Sequence, residues 1–133
     1  MLYFAYGSNL HHLQMRRRCK DSIFLKKIIL KNFKLTFRSK YRAADIEPKK
    51  NSTVQGGLFE ISKIDEKKLD VYEDFPILYK KYYFYYYGKK VMTYTMVDKS
   101  CFKFPTERYL NIIRRGYKDC KLDNKILIRA LNN

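Results

Sequence analysis

The fold is organised around the stretch Tyr3-Phe4-Ala5-Tyr6-Gly7-Ser8-Asn9-Leu10 near the start of the chain. It opens with an apolar run, residues 2–6, of the kind that forms a short buried strand. Gly7 then permits a tight turn, and Ser8 and Asn9 are common helix-capping residues. A strand, a glycine turn and a helix start in this order leave free backbone N–H groups that bind anions or carbonyl oxygens. The alternative is that Gly-Ser-Asn only makes the turn.

Composition predicts a single globular domain over residues 1–133. Hydrophobic residues make up 46% of the chain, which is enough to build a core. No apolar run approaches the roughly 20 residues that a membrane-spanning helix needs, so we expect no membrane contact. The N-terminus has no charged region before its apolar residues, which argues against a signal peptide and for a cytoplasmic protein.

The cysteines and histidines do not indicate a metal site. Cys19, Cys101 and Cys120 are widely spaced, with no CxxC pair, so we expect free and partly buried thiols. His11 and His12 are adjacent, and adjacent side chains on a helix point in different directions. We expect them at the surface or at a helix cap.

The chain carries a net charge of +16 and 13 tyrosines, a combination that suggests nucleic-acid binding. Seven of the tyrosines lie between Tyr79 and Tyr94, where they could form a stacking surface. The lysines, however, are dispersed along the chain, and tyrosine also suits a half-buried strand. We therefore favour a solvated lysine surface that steers anionic substrates. A non-enzymatic module that binds RNA or single-stranded DNA is the alternative function.

The rest of the sequence predicts a mixture of strands and helices. Apolar or alternating runs predict strands at 24–30, 33–37, 54–61, 82–87 and 91–97, with a turn at 31–32. The glycines at 56–57, inside one of these runs, suggest a bulge or the close approach of another group. A polar stretch, 38–50, lies beside a cleft or forms a short strand. Helices are predicted at 9–18, at 107–117, after a cap at Asp123, and from a capping box at 62–65 to about Glu73. In the helix that starts at the capping box, Ile64, Leu69 and Tyr72 are predicted to face the core. This order favours an α+β or α/β class, with a curved sheet or small barrel flanked by helices.

Glu73 is the carboxylate whose position lacks a simple structural explanation. It follows Tyr72 and precedes Asp74-Phe75-Pro76, at the C-terminal end of a predicted helix. An acid at that end is electrostatically unfavourable. A carboxylate among apolar rings has a raised pKa and can act as a general base or acid. The alternative is a solvated surface glutamate.

Four motifs give the chain a family resemblance. They are Tyr6-Gly7-Ser8-Asn9-Leu10, Gln14-Met15-Arg16-Arg17-Arg18-Cys19, the segment from Leu69 to Tyr79, and Pro105-Thr106-Glu107-Arg108-Tyr109. With these motifs in this order, the chain resembles the gamma-glutamyl cyclotransferase family over nearly its whole length.

The resemblance implies an α+β fold, a small mixed β-barrel flanked by helices. It implies an intramolecular reaction that turns a gamma-glutamyl amine or amino acid into 5-oxoproline and a free amine, without a metal or organic cofactor. The expected partner is a small gamma-glutamyl molecule, with no specific nucleic acid, and the protein is expected to be a monomer or homodimer.

The resemblance also assigns roles to residues. Glu73 would be the general acid and base, and the backbone N–H groups of 7–9 would hold the substrate α-carboxylate or the developing oxyanion. The loop and Glu73 are therefore expected to face one pocket. The predicted substrate contacts are Tyr6, Gly7, Ser8, Asn9, Leu10, Tyr79 and Tyr109.

Two residues depart from the family pattern. Asp74 replaces the usual Gly after the glutamate, and Thr106 replaces the usual Ser. Asp74 adds a second acid next to Glu73, where it could raise the pKa of Glu73 or face solvent. We expect it to bear on the substrate more than on the reaction. The amine half of the substrate is left open by the sequence: an amino acid, a polyamine, a lysine side chain or a modified antibiotic.

Overall fold

The computed structural model describes residues 1–132, which form five strands, four α-helices and one short 3₁₀ helix. The strands are β1 (Leu2–Ala5), β2 (Ile23–Arg38), β3 (Ala43–Glu60), β4 (Tyr79–Tyr86) and β5 (Lys89–Met96). The helices are the 3₁₀ helix (Ser8–Leu10), α1 (His12–Arg18), α2 (Lys63–Tyr72), α3 (Glu107–Asp119) and α4 (Asn124–Leu131). The predicted α+β class is confirmed. Within residues 1–132, no helix has the length and apolar character needed to cross a bilayer.

β1 lies at the centre of the sheet, whose strand order is β2-β3-β1-β5-β4. It runs antiparallel to β3, with Tyr3 opposite Phe59, and parallel to β5, with Tyr3 opposite Met92. Phe4 and Ala5 are fully buried, as expected for a strand covered by neighbours on both edges. The loop that follows β1 is therefore held between β3 and β5.

The edge strands β2 and β4 are brought together by side chains. The ring centroids of Phe33 on β2 and Tyr82 on β4 are 5.4 Å apart. The Lys26 ammonium on β2 lies 5.2 Å from the ring of Tyr86 on β4. The mixed sheet therefore curls towards closure, as in a small barrel.

Gly56 marks a close approach between β3 and β1. A Cβ atom at this position would lie 2.3 Å from the carbonyl oxygen of Ala5 and 2.4 Å from the ring of Phe4. The prediction that glycine within this strand marks the close approach of another group is confirmed.

The predicted turn at 31–32 is wrong, because β2 continues through it to Arg38. Asn32 has a φ of 65°, and the pairing of β2 with β3 shifts between Lys31 and Phe33. Asparagine tolerates this left-handed conformation, so the chain makes a bulge where we predicted a turn.

The polar stretch 38–50 forms one end of the long β2–β3 hairpin. Its charges are paired in the interior, since Arg38 Nε lies 3.1 Å from Asp45 Oδ2 and both side chains are buried. The prediction of a strand here is confirmed, although β3 is much longer than predicted and starts at Ala43.

The helix predicted at 9–18 is divided into the 3₁₀ helix and α1. The division coincides with a close crossing of α3. A Cβ atom at Gly116 of α3 would lie 2.4 Å from Leu10 Cβ and 2.7 Å from His11 N. The turn is thus shaped by a segment about a hundred residues away, which no local pattern could reveal.

The capping box of α2 is confirmed. The backbone N–H of Asp65 donates to Ser62 Oγ, and the N–H of Ser62 donates to Asp65 Oδ2. Leu69 is buried as predicted, but the prediction that Ile64 and Tyr72 face the core is wrong: they are 65% and 45% exposed. The Asp65 carboxylate, which caps the helix, is buried, whereas the neighbouring Ile64 side chain is exposed.

The prediction of free cysteines is confirmed, and so is that of a histidine at a helix cap, but the predicted partial burial of the thiols is wrong. All three cysteines are free, but Cys19 and Cys120 are buried and Cys101 is exposed. His11 precedes α1 as its cap residue, and His12 is half-buried, with its ring 4.7 Å from that of Phe24.

Candidate active site

The loop after β1 and the end of α2 line one cavity of about 350 Å³. Gly7, Ser8 and Asn9 form one wall, and Glu73 lies on another. The prediction that the loop and Glu73 face the same pocket is therefore confirmed. The other lining residues are Tyr3, Tyr6, Tyr41, Ala43, Ala44, Tyr72, Asp74, Leu78, Tyr79, Tyr94 and Tyr109.

The loop presents three backbone donors. Among residues 1–132, the N–H groups of Gly7, Ser8 and Asn9 have no hydrogen-bond acceptor. The absence of a side chain at Gly7 matters, because a Cβ atom there would lie 3.2 Å from Ala44 Cβ and 3.5 Å from the Tyr109 hydroxyl. Consecutive free N–H groups in such a turn form a site for a carboxylate or an oxyanion.

Glu73 is the C-cap residue of α2 and is partly buried. Asn9 Nδ2 donates to Glu73 Oε1 at 3.4 Å, whereas Oε2 has no partner within the described chain. Burial raises the pKa of Glu73 to about 7, and the positive charge of Arg18 opposes that rise. Near neutral pH the carboxyl is therefore present in both forms and can accept or give a proton.

Arg18 fixes the amide that contacts Glu73. Its Nη1 donates to Asn9 Oδ1 and, at 3.4 Å, to Ser8 Oγ. Its guanidinium also lies 3.5 Å from the ring centroid of Tyr72. With Oδ1 held by Arg18, the Asn9 amide directs Nδ2 to Glu73 and, at 2.9 Å, to the hydroxyl of Tyr3. Local chemistry offers a simpler explanation for arginines at 16–18, because cations suit the C-terminal end of a helix, and it does not reveal this contact.

The hydroxyls of three predicted substrate-contact tyrosines form hydrogen bonds with backbone groups. The hydroxyl of Tyr6 donates to Tyr94 O at 2.7 Å, and that of Tyr79 donates to Ala44 O at 2.6 Å. The hydroxyl of Tyr109 instead accepts from Ala44 N at 3.0 Å, so its own proton stays available to the cavity. Burial raises the pKa of Tyr109, which keeps this hydroxyl protonated.

The structure brings most of the predicted residues together. Leu10 is the exception, because its side chain is completely buried and packs near Gly116 instead of lining the cavity. The sequence missed Tyr3, Tyr94 and the Ala43–Ala44 backbone. A tyrosine within a buried apolar strand needs a partner for its hydroxyl, and this signal could have identified Tyr3.

No group of three or more His, Cys, Asp or Glu side chains in residues 1–132 is arranged to hold a metal ion. The cavity instead contains one titrating carboxyl, backbone donors and tyrosine hydroxyls. This set can bind a small anionic group and transfer a proton next to it.

Comparison with known protein families identifies the class. The family described as gamma-glutamyl cyclotransferase, AIG2-like, matches residues 3–111. The chain therefore belongs to this family. A comparison with curated protein sequences gave no significant match.

Solved structures share the fold. The human protein loc79017 is 25% identical, with a TM-score of 0.79 over 97% of this chain and 85% of its own. A gamma-glutamyl cyclotransferase is 23% identical, with a TM-score of 0.79 over 98% of this chain and 85% of its own. YkqA from Bacillus subtilis is 21% identical, with a TM-score of 0.82 over 100% of this chain and 54% of its own.

Proposed function

We propose that this protein is a cytoplasmic gamma-glutamyl cyclotransferase that converts a gamma-glutamyl amine or amino acid into 5-oxoproline and a free amine. We propose that it acts as one domain, as a monomer or homodimer, without a cofactor. The observation that carries the proposal is a carboxyl group with a pKa of about 7, on the same cavity as three unpaired backbone N–H groups.

The reaction needs little beyond positioning and proton transfer. The substrate's α-nitrogen attacks its own γ-carbonyl carbon, a five-membered ring closes, and the bond to the amine nitrogen breaks. Holding the glutamyl chain curled provides proximity, and well-oriented intramolecular attack reaches effective molarities of roughly 10⁵ M or more. A cavity of about 350 Å³ is of the size that holds a small ligand.

Glu73 is assigned the proton transfers. The α-ammonium loses two protons on becoming the ring N–H, and the amine nitrogen gains two on leaving as an ammonium ion, so the protons balance. One carboxyl can carry each proton in turn, first as a base and then as an acid. Because Asn9 occupies Oε1, Oε2 is the oxygen that we assign to this transfer.

We assign the loop after β1 to bind the negatively charged groups of the substrate. The N–H groups of Gly7, Ser8 and Asn9 would bind the substrate α-carboxylate or the oxyanion that develops on the γ-carbonyl oxygen. The Tyr109 hydroxyl, which accepts from Ala44 N and keeps its proton, would be a further donor to the same oxygen. Tyr6 and Tyr79 would shape the wall, since both hydroxyls donate to backbone carbonyls.

The test is a panel of gamma-glutamyl amino acids and gamma-glutamyl amines, with 5-oxoproline release followed by mass spectrometry. We expect release from at least one compound by the parent protein and a severe loss in Glu73→Gln. Glu107→Gln is the matched control, because Glu107 is an exposed acid on α3 that pairs with Arg114. A folded parent protein that releases no 5-oxoproline from any compound would overturn the proposal.

A further inference from the structure

Asp74 occupies an unusual backbone position beside the cavity. Its φ is 52°, in the left-handed region that favours glycine. Its N–H donates to Val71 O, and its carbonyl oxygen accepts from the N–H groups of Ile77 and Leu78. The backbone of this turn is therefore fully used, and the exposed side chain is free to act on the cavity that it lines.

The Asp74 carboxylate has no partner. No hydrogen bond or ion pair reaches it from any residue in 1–132, although the chain contains 29 lysines and arginines. Two carboxylates of α2 are paired in contrast, since Lys81 contacts both Glu66 and Asp70. The Asp74 carboxylate lines the cavity and is therefore available to a positive charge that a ligand brings.

Aromatic rings accompany this acid at the exposed part of the cavity. Tyr41 and Tyr72 line it and are 57% and 45% exposed, unlike the buried tyrosines deeper inside. Lys40 already places its ammonium group 5.2 Å from the Tyr41 ring centroid, which is a cation–π distance. The Arg18 guanidinium covers the Tyr72 ring at 3.5 Å, so both rings show that this wall accepts cations, and the Asp74 carboxylate is the group left to recognise an organic ammonium ion.

We propose that Asp74 binds a positive charge on the amine half of the substrate, beyond the bond that breaks. The proposal rests on the proposed function. The glutamyl half must turn its carboxylate to the loop and its α-nitrogen to Glu73, so the amine half extends towards the exposed wall. The preferred substrates are then gamma-glutamyl amides of diamines or of other amines that carry a second ammonium group. The usual glycine of the family offers no such charge.

The test compares two substrates of nearly equal shape. They are the N-γ-glutamyl derivatives of 1,4-diaminobutane and of pentylamine, which differ by an ammonium group in place of a terminal methyl. An exposed ion pair is worth up to about 1 kcal/mol, which is about fivefold in kcat/KM. We expect the parent protein to prefer the diamine derivative by about that factor. Asp74→Asn, which keeps the shape and tolerates positive φ, should bring the ratio close to one.

Controls keep the inference distinct from the proposed function. Asp74→Gly should lower the ratio as Asp74→Asn does, and Asp98→Asn, at an exposed position outside the cavity, should leave it unchanged. An equal ratio in the parent protein and Asp74→Asn overturns the inference. So does an equal loss on both substrates, which would place Asp74 against the glutamyl half. Release from other gamma-glutamyl compounds but from neither of these two overturns the inference alone. Release from none overturns the proposed function as well.

Discussion

Two groups of tyrosines in this molecule have the same side chain and different surroundings. The inner cavity tyrosines are Tyr3, Tyr6, Tyr79 and Tyr94, which are buried, and Tyr109, which is partly buried. The hairpin tyrosines, all exposed, lie on β4 and its turn: Tyr82, Tyr83, Tyr85 and Tyr87. By sequence, Tyr79 and Tyr94 belong to the same cluster as the hairpin group, but the fold assigns them to the cavity.

The difference lies in what each hydroxyl contacts. The Tyr94 hydroxyl donates to Asp70 Oδ1 at 2.6 Å, and those of Tyr6 and Tyr79 donate to backbone carbonyls. In the hairpin it is the ring that makes the contact: Lys90 lies 4.5 Å from the ring of Tyr83. An edge strand accommodates such rings through strand propensity alone. A count of tyrosines therefore does not indicate function, whereas burial with a fixed hydroxyl indicates a built site.

The largest expected effect is a loss of activity that follows a substitution in the cavity and does not follow one in the hairpin. Glu73→Gln keeps the shape but cannot accept the ammonium proton, so we expect 5-oxoproline release to fall about 10²–10⁴-fold. Tyr85→Phe, in the hairpin, should retain the parent rate. The measurement is the initial rate on one responsive substrate, with circular dichroism to check the fold. Full activity in Glu73→Gln would move the catalytic role elsewhere, first to Asp74.

The same substitution should change how stability depends on pH. The pKa of Glu73 is about 7 in the folded protein, whereas an unperturbed glutamate, as in the unfolded chain, has a pKa near 4.5. The folded state therefore binds this proton more tightly, and its contribution to stability is lost as pH rises from about 4.5 to 7. We expect a loss on the order of 2 kcal/mol in the parent protein that Glu73→Gln does not show. Urea unfolding at pH 4, 6 and 8 measures it, and parallel curves for the two proteins would contradict it.

A matched pair of hydroxyl deletions compares the two tyrosine groups directly. Tyr109→Phe leaves Ala44 N without its acceptor, which costs about 1–3 kcal/mol of unfolding free energy. Tyr85→Phe removes an exposed hydroxyl and should change stability by no more than about 0.5 kcal/mol. The denaturant midpoints of the two variants, measured side by side with that of the parent protein, test this difference in stability. Equal midpoints would remove the distinction between the groups.

Arg18 should tune Glu73 from outside the cavity. Arg18→Met removes the positive charge that lowers the pKa of Glu73, so that pKa should rise. The acid limb of the kcat/KM profile should move to higher pH with it. Carbon-detected NMR titration of labelled glutamate reports the same shift without a substrate. Arg17→Met, exposed on the same helix, is the control. If the pKa of Glu73 were the same in Arg18→Met as in the parent protein, the electrostatic effect assigned to Arg18 would be contradicted.

The smallest effect is expected for nucleic acid. The hairpin tyrosines and dispersed lysines should give weak binding to RNA or single-stranded DNA that falls steeply with salt. Replacing Tyr85 and Tyr87 together with alanine should change this affinity little. Fluorescence anisotropy with a labelled oligonucleotide tests it at low and physiological salt. Tight, sequence-selective binding at physiological salt that the double substitution abolishes would favour the alternative function.

Local sequence signals predicted the parts of the site that depend on local chemistry. The glycine turn after β1, the capping box of α2 and the acid at the end of that helix all follow from neighbouring residues. The contact between Asn9 and Glu73 joins residues 64 positions apart, and only the resemblance indicated that they meet.

Other features could not be predicted because distant segments determine them. The break before α1 coincides with the crossing of α3 at Gly116, a residue more than a hundred positions further along the chain. Hydrophobic periodicity carries no information about such contacts.

The most direct test of the central claim is a crystal structure of Glu73→Gln grown with a gamma-glutamyl compound that the parent protein cleaves. We predict the uncleaved glutamyl half in the cavity of about 350 Å³, with its α-carboxylate or γ-carbonyl oxygen on the N–H groups of Gly7, Ser8 and Asn9. Its α-nitrogen should lie beside the amide of residue 73. A glutamyl half bound elsewhere, or with its α-nitrogen turned away from residue 73, would contradict the account.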